Sequence, residues 1–424
     1  MTSRTIHFLS TNITKTTRSH ADETNSRNGQ LLTRAGFVSQ MAAGIYTMMP
    51  LGMRVLSRIE RIVADEMNTL GAFQFHGAPL QTRQLLDTTG RWSSIDVLYR
   101  LTSRSGADMC LQATAEEAIC AALRQRIASH RDLPLSLYQI SDKFRDEQRP
   151  RAGLIRGRAF RMKDLYSLHA SAHELDSYYE EVVKSYHRIF SRCGIGDKVV
   201  RTFASGGVFS KFSDEFQLIA DSGEDTVFTT EDGTIALNKE VADDQEALRA
   251  LFGERIPRLV EHRAIEVGNT FKLGTRYTDA FNISFQDTEG VMQKVWMASY
   301  GIGTTRLIGS IAEVLSDEHG LVWPKEVSPY DVHVVVLGND THASTELDHI
   351  LNHFKRAGIS ALVDTRSEVR AGEKFADADL IGIPTRVVVS SSTPKDSYVE
   401  VKRRSEATAT RIPRESLSDF VLVG

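Results

Sequence analysis

Cysteine is scarce in this chain. Its 424 residues contain three, Cys110, Cys120 and Cys193, widely spaced and odd in number. This excludes a full disulfide framework and any CxxC zinc pattern, so reduced core thiols are the ordinary reading. Long apolar runs are missing too: no stretch of about eighteen apolar residues occurs, so no membrane span is expected. The opening, MTSRTIHFLSTNITKTTRSHADETNSRNGQ, lacks the continuous apolar core of a secretory signal. Its Ser, Thr, Arg and Asn content predicts a mobile start over residues 1–30, and Asp22 and Glu23 weigh mildly against an organelle presequence. The expected location is the cytoplasm. Net charge is small, at -4, and a composition of 41% hydrophobic and 25% charged residues is that of a soluble globular protein. The length allows two or three domains.

Against that near-neutral balance one stretch stands out, KFRDEQRPRAGLIRGRAFRMKD from Lys143 to Asp164. Lys143, Arg145, Arg149, Arg151, Arg156, Arg158, Arg161 and Lys163 are eight cations, and such a run calls for a polyanion. A solvated or nonspecific basic surface is the plain alternative. Around a turn at Pro150 and Gly153, Leu137, Gln139 and Phe144 and then Phe160, Met162 and Asp164 fall on two extended arms whose side chains alternate between faces. Arg145 and Glu147 share a face of one arm; Phe160 and Met162 share a face of the other. A guanidinium for phosphate, a carboxylate for an amino group and an aromatic face for a base make a nucleotide pocket the better reading.

This stretch resembles motif 2 of the class II aminoacyl-tRNA synthetases, as Phe144-Arg145-Asp146-Glu147 followed by Arg156 to Phe160, and more narrowly FRDEQRPRAGLIRGRAFRMKDLYS resembles the bacterial-type prolyl-tRNA synthetases. The resemblance implies an α+β catalytic domain, an antiparallel sheet flanked by helices, followed by a small α/β anticodon-binding domain. It implies ATP and Mg2+, with proline and its tRNA as substrates. No Cys and His set of the kind that holds zinc in the threonyl enzymes is seen, so no zinc is expected.

Other stretches extend the likeness. Val55, Ile59, Ile62, Val63 and Met67 recur at helical spacing, predicting a helix from about Leu51 to Leu70 closed by Gly71, after a short helix and a turn at Pro50. With the segment ending near Pro79 it resembles motif 1, about 51–80, which builds a homodimer in the family. Thr114 and Glu117 have the spacing of an N-capping box. The same residues resemble the TxEE loop of the prolyl enzymes, which makes Thr114 and Glu116 ligands of the proline ammonium, with Met162, Asp164 and Ser299 in the same pocket. Ser205 to Lys211 holds a Gly-Gly pair that reads as a turn, or as a phosphate nest. Glu266, on a strand, is a candidate Mg2+ ligand or a surface carboxylate. Tyr300-Gly301-Ile302-Gly303 lacks the third glycine of a dinucleotide fold and resembles motif 3, spanning 297–315, with Arg306 on the ATP phosphates. The family has His, Cys and Glu where Asn269, Ser299 and Ala159 stand here.

The resemblance assigns Arg145 and Arg306 to catalysis, and these two with Glu147, Arg156 and Phe160 to ATP. Arg149 is the expected contact to the tRNA acceptor end. Too few residues separate Tyr166 from Gly290 for a large editing domain, which implies a separate editing factor. From Val322 a linker leads to alternating strands and helices, with RAGEKFADADLIGIP resembling the anticodon-binding domain. Lys402, Arg403 and Arg404 there are candidates for phosphate contacts or for a solvated edge. The expected domains are 31–326 and 327–424. Two other readings stay open: a relative that charges a carrier protein, and a noncatalytic binding or regulatory subunit.

Overall fold

The computed structural model describes residues 6–9, 15–18, 26–205, 212–338, 340–391 and 397–423. The chain forms two compact units, Glu60–Ser310 and a second made of Met1–Ile59 with Ile311–Gly424. The helix predicted from apolar spacing runs Pro50–Thr69, and Val55, Ile59, Ile62, Val63 and Met67 are all buried. Before it comes the short helix Arg27–Arg34, then a hairpin, Val38–Ala42 against Ile45–Met48, which the sequence did not announce.

In the Glu60–Ser310 unit the elements that matter are α1 (Glu116–Leu123), β1 (Leu135–Phe144), β2 (Ala159–His169), α2 (Ala172–Arg192), β3 (Phe212–Ile219), β4 (Leu259–Gly274), β5 (Trp296–Gly303) and α3 (Thr304–Val314), whose C-terminal end passes beyond the unit. They belong to a nine-stranded sheet in which β3, β4, β5, β2 and β1 lie side by side, antiparallel at every joint. Its far edge is the two-residue strand Phe73–Gln74, parallel to β1.

The register fixes what each face presents. Gln139, Asp164, Gly301 and Asn269 stand opposite one another across β1, β2, β5 and β4, and so do Leu137, Tyr166, Ser299 and Phe271. Lys143 pairs with Phe160, and Ser141 with Met162 and Gly303. Directly paired residues point the same way, so these side chains line one face of the sheet. The other face is covered by α2, which starts at Ser171, whose hydroxyl accepts from Glu174 N at 3.2 Å. That helix buries Leu175, Tyr179, Val182, Tyr186 and Ile189.

The second unit has a six-stranded sheet in the order Ile6–Phe8, Ala361–Asp364, Val332–Leu337, Thr385–Ser390, Tyr398–Arg403, Thr410–Pro413. The first four strands are parallel and the last two antiparallel. Helices Thr341–Ala357, Ala371–Ile381 and Leu417–Val423 accompany it, and Val334, Ile350, Phe354, Val363, Val387 and Leu417 share its core. The expectation of a mobile start therefore fails at Ile6–Phe8, because these residues complete the sheet edge beside Ala361–Asp364. Arg403 and Arg404 depart from the expected phosphate role. Arg404 is buried and forks onto both Asp317 oxygens at 2.7 and 2.6 Å, and Arg403 donates to Thr385 and to the Phe420 carbonyl. Both guanidiniums are committed to holding the fold.

Candidate active site

One end of the lined face is cationic. Arg145 follows β1 directly, and its guanidinium lies 5.3 Å from the centre of the Phe160 ring on β2. Burial, and then the like charge of Arg306, hold Arg145 below its ordinary value. Arg306, in the first turn of α3, donates to the Ile155 carbonyl at 2.7 Å and the Glu266 carbonyl at 2.9 Å, and pairs with the Glu266 carboxylate at 3.2 Å. Asn269 donates to the other Glu266 oxygen at 2.9 Å. Arg156 meets Glu147 at 2.8 Å and Glu224 at 3.7 Å, and Arg151 meets Glu224 at 3.0 Å. A pocket is lined by Arg145, Phe160, Met162, Glu266, Val267, Gly268, Asn269, Gly301, Gly303 and Arg306. The two glycines of β5 are needed there: a Cβ at Gly301 would come 2.8 Å from the Asn269 carboxamide oxygen, and one at Gly303 3.1 Å from Arg306.

The other end is acidic. Thr114 donates to Glu116 Oε2 at 2.5 Å, and the Thr114 carbonyl accepts from Gln81 at 3.1 Å. The N-cap of α1 is Ala115, which offers no side-chain acceptor, so the capping box expected from Thr114 and Glu117 does not form. Glu117 instead accepts from Thr89 at 2.6 Å. Behind both carboxylates stands Arg91, whose Nη1 donates to Glu116 at 3.0 Å and to Glu117 at 3.2 and 3.1 Å. The Ala115 amide donates to the Tyr166 hydroxyl at 3.1 Å.

Between the two ends runs a buried polar chain. The Tyr166 hydroxyl donates to Asp164 Oδ2 at 2.9 Å, Gln139 to the same oxygen at 2.8 Å, and Lys143 lies 2.8 Å from Oδ1. Asp164 is thus fully engaged, and it acts on the acidic loop through Tyr166 and not as a free carboxylate. Lys143 is wholly buried. So is Lys163, which faces α2, donates to the Tyr186 hydroxyl at 2.6 Å and is held well below its ordinary value by burial. Two of the eight cations counted as a polyanion-binding run are therefore interior. Strand alternation put Lys163 beneath the helix and Lys143 against Asp164. Ser299 is also buried, opposite Tyr166 and Phe271, and Arg149 is exposed in the loop after β1. The possible nest within 205–211 falls, from residue 206, outside the described residues.

Arg91 carries no signal in the sequence: nothing local distinguishes a buried arginine whose partners lie 25 and 26 positions away. Sequence reasoning also missed Glu215 on β3 and Asp225 at the start of the strand Asp225–Thr230, both strands pairing with β4, which carries Glu266. Burial and then the charge of Glu266 push Glu215 up to about 7, and raise Asp225 as well.

An antiparallel sheet with a nucleotide-type arginine pocket on two of its strands and a glycine strand leading into a helix is the architecture of a class II aminoacyl-tRNA synthetase. Comparison agrees. Residues 99–315 match the tRNA synthetase class II core domain (G, H, P, S and T), and residues 331–423 match the anticodon binding domain. Proline–tRNA ligases of Bacillus cereus (strain G9842) and Bacillus anthracis (strain A0248) are each 32% identical over 93% of this chain and 96% of their own length. The chain belongs to the proline–tRNA ligase family. Its fold is shared with a prolyl-tRNA synthetase from Cryptosporidium parvum, solved with L-proline and AMP, at a TM-score of 0.76 and 18% identity, covering 93% of this chain and 74% of that one.

Proposed function

We propose that the chain activates proline with ATP to prolyl-adenylate and transfers the prolyl group to the 3′ end of its tRNA. The observation that carries this reading is the buried polar chain of Tyr166 and Asp164 on one sheet face, which runs between the acidic end at Thr114 and Glu116 and the arginine-lined end at Arg145 and Arg306. An amino acid bound by its ammonium at Glu116 and Thr114 extends its carboxylate toward Arg145. That carboxylate attacks the α-phosphorus of ATP, a new C–O–P linkage forms, and pyrophosphate leaves with the electron pair. Arg145 faces the charge that accumulates at the α-phosphate, and Phe160 offers its ring to the adenine. Glu147 accepts from the adenine amino group, and Arg156 and Arg306 exchange their carboxylate partners for outer phosphates. No side chain must remove a proton from an ionised carboxylate, so positioning and electrostatics supply the catalysis.

Magnesium enters with ATP. Among the described residues no three His, Cys, Asp or Glu side chains stand close enough to hold a metal ion alone. Glu266, whose charge adds to burial in raising Glu215 and Asp225, would offer one ligand to an ion that draws the others from phosphate oxygens. When bound, it neutralises phosphate charge.

The tRNA ribose hydroxyl then attacks the carbonyl carbon of the adenylate; the prolyl ester forms, the bond to the phosphate oxygen breaks, and AMP leaves with the electron pair while the hydroxyl proton passes to the departing phosphate, with Arg149 at the acceptor end and the domain from 327 onward on the anticodon. Exposed Phe73, at 67% on the edge strand of the nine-stranded sheet, and exposed Leu80, at 46% on a separate short strand, both lie in the motif 1 region and support a homodimer. The alignment with the Bacillus enzymes extends over 544 positions, more than the 424 residues of this chain, so they carry segments missing here. A pocket separates a substrate from one smaller by a methylene by only about 1–3 kcal/mol, so removal of mischarged product falls to a separate factor. The setting is the cytoplasm.

The test is amino-acid-dependent exchange of labelled pyrophosphate into ATP with each of the twenty amino acids. Exchange driven by proline and abolished in Arg145→Ala is expected. Exchange driven by another amino acid moves the specificity, with Ser299 the first residue to revert; no exchange at all removes the reading.

A further inference from the structure

We propose that Arg91 is a positioning residue for the amine site, holding the Glu116 and Glu117 carboxylates as one unit whose net charge is a single negative. This rests on the assignment of Thr114 and Glu116 to the substrate ammonium. Arg91 is 1% exposed and sits just after Gly90, whose φ of 72° lets the chain turn into the short helix Arg91–Ser94. A charged side chain so deeply buried is strongly unfavourable unless paired, and Arg91 is paired with two carboxylates, themselves 3% and 1% exposed. The ring of Tyr277 packs 5.6 Å from the guanidinium carbon on another side.

The charge balance gives the arrangement its meaning. One guanidinium paired with two carboxylates leaves this buried cluster one negative charge in excess. A substrate ammonium brings the single positive charge that closes the account. Burial pushes Glu117 above the ordinary carboxylate range, with the Arg91 charge opposing it and Glu116 adding to it. Glu117 also accepts from Thr89, and Glu116 Oε2 accepts from both Thr114 and Arg91, so each carboxylate has its orientation fixed from two directions. With Arg91 gone, two adjacent buried carboxylates would face each other uncompensated, and the pair would reorient or take up a proton. A role confined to holding the fold would not be selective for one substrate; a role in the amine site is.

The experiment uses the full-length enzyme in proline-dependent pyrophosphate exchange, with KM measured separately for proline and for ATP. Arg91→Met should raise the proline KM by roughly 30-fold or more while the ATP KM moves less than about threefold, in line with the cost of leaving one member of a buried charge cluster unpaired. Arg91→Met/Glu117→Gln, which restores the original net charge, should recover most of that loss, and Arg91→Lys should lie between. The inference is overturned if Arg91→Met leaves the proline KM unchanged, if both KM values rise together with a fall in Tm, or if the double variant recovers nothing. Where Arg91→Met fails to fold, the Arg91→Lys and double variants carry the same comparison. Wild-type enzyme inactive with proline would instead remove the functional assignment beneath it.

Discussion

The two ends of the site handle charge in opposite ways. At the proposed amine end a single buried arginine serves two carboxylates, so the cluster carries one negative charge in excess. At the phosphate end Arg156 and Arg306 are each tied to a carboxylate that phosphate oxygens can replace, and Arg145 lies over a ring with no ion pair shorter than 4 Å among the described residues. One end is built to keep its internal partners, the other to exchange them. Substrate binding at the first should therefore depend on preorganisation, and at the second on how readily ion pairs are given up.

The sharpest way to break this contrast is to remove the cation that has no carboxylate to surrender. Arg145→Ala should lower proline-dependent exchange by about a hundredfold or more, the scale seen when a donor aimed at developing charge is lost. An effect of only a few fold would place the reacting phosphate elsewhere. Next in size, Glu116→Gln should raise the proline KM by about 30-fold with little change for ATP, and Arg156→Ala should do the reverse, raising the ATP KM by about tenfold. Equal effects of each substitution on both substrates would show that the two ends are not separate.

A pH experiment sharpens the phosphate end. Glu215 has a folded pKa of about 7, above its value in an unfolded chain. Between roughly pH 4.5 and 7 the folded state holds a proton that the unfolded state has lost, so this group reduces stability as pH rises through that window and by a constant amount above it. Glu215→Gln removes the effect. The variant should gain stability relative to the parent between pH 5 and pH 8, by ~2 kcal/mol, read as a widening Tm difference. A difference that stays flat with pH would mean that Glu266 and burial do not crowd this carboxyl.

Much of this was legible before the fold was known, and the reason is the period of the strand. Alternation along Leu135–Phe144 and Ala159–His169 set Phe160 and Met162 on one face as expected, but Arg145 and Glu147, expected to share a face of the first arm, lie beyond its end, where the Glu147 amide turns back to the Arg145 carbonyl at 2.8 Å. The long helix at Pro50–Thr69 followed from apolar spacing in the same way. Alternation says which residues share a face, but not which face meets a helix. Lys163 and Lys143 therefore looked like surface cations and are core groups. Arg91 was invisible because its meaning lies in partners from another element. Thr114 misled for the opposite reason: three-residue spacing to Glu117 is real, but Glu117 answers Thr89 and Arg91. Arg403 and Arg404 were read from charge alone, and charge cannot distinguish a nucleic-acid contact from a fork closed on Asp317.

The smallest effect tests the boundary of the site. Arg149 is exposed, in the same loop where Arg151 and Arg156 are already drawn to Glu224 and Glu147. A solvated arginine beside two engaged ones contributes little to the loop, so its removal should leave adenylate formation intact. If it instead meets the phosphate backbone of the acceptor end, Arg149→Ala should raise the tRNA KM in aminoacylation by about threefold and lower the salt dependence of that KM by about one phosphate contact. The slope distinguishes the cases, because a loop distorted by the substitution would change the rate without changing how many counterions tRNA binding releases. An unchanged slope would move the acceptor contact to another cation of the loop, with Arg151 the next to test.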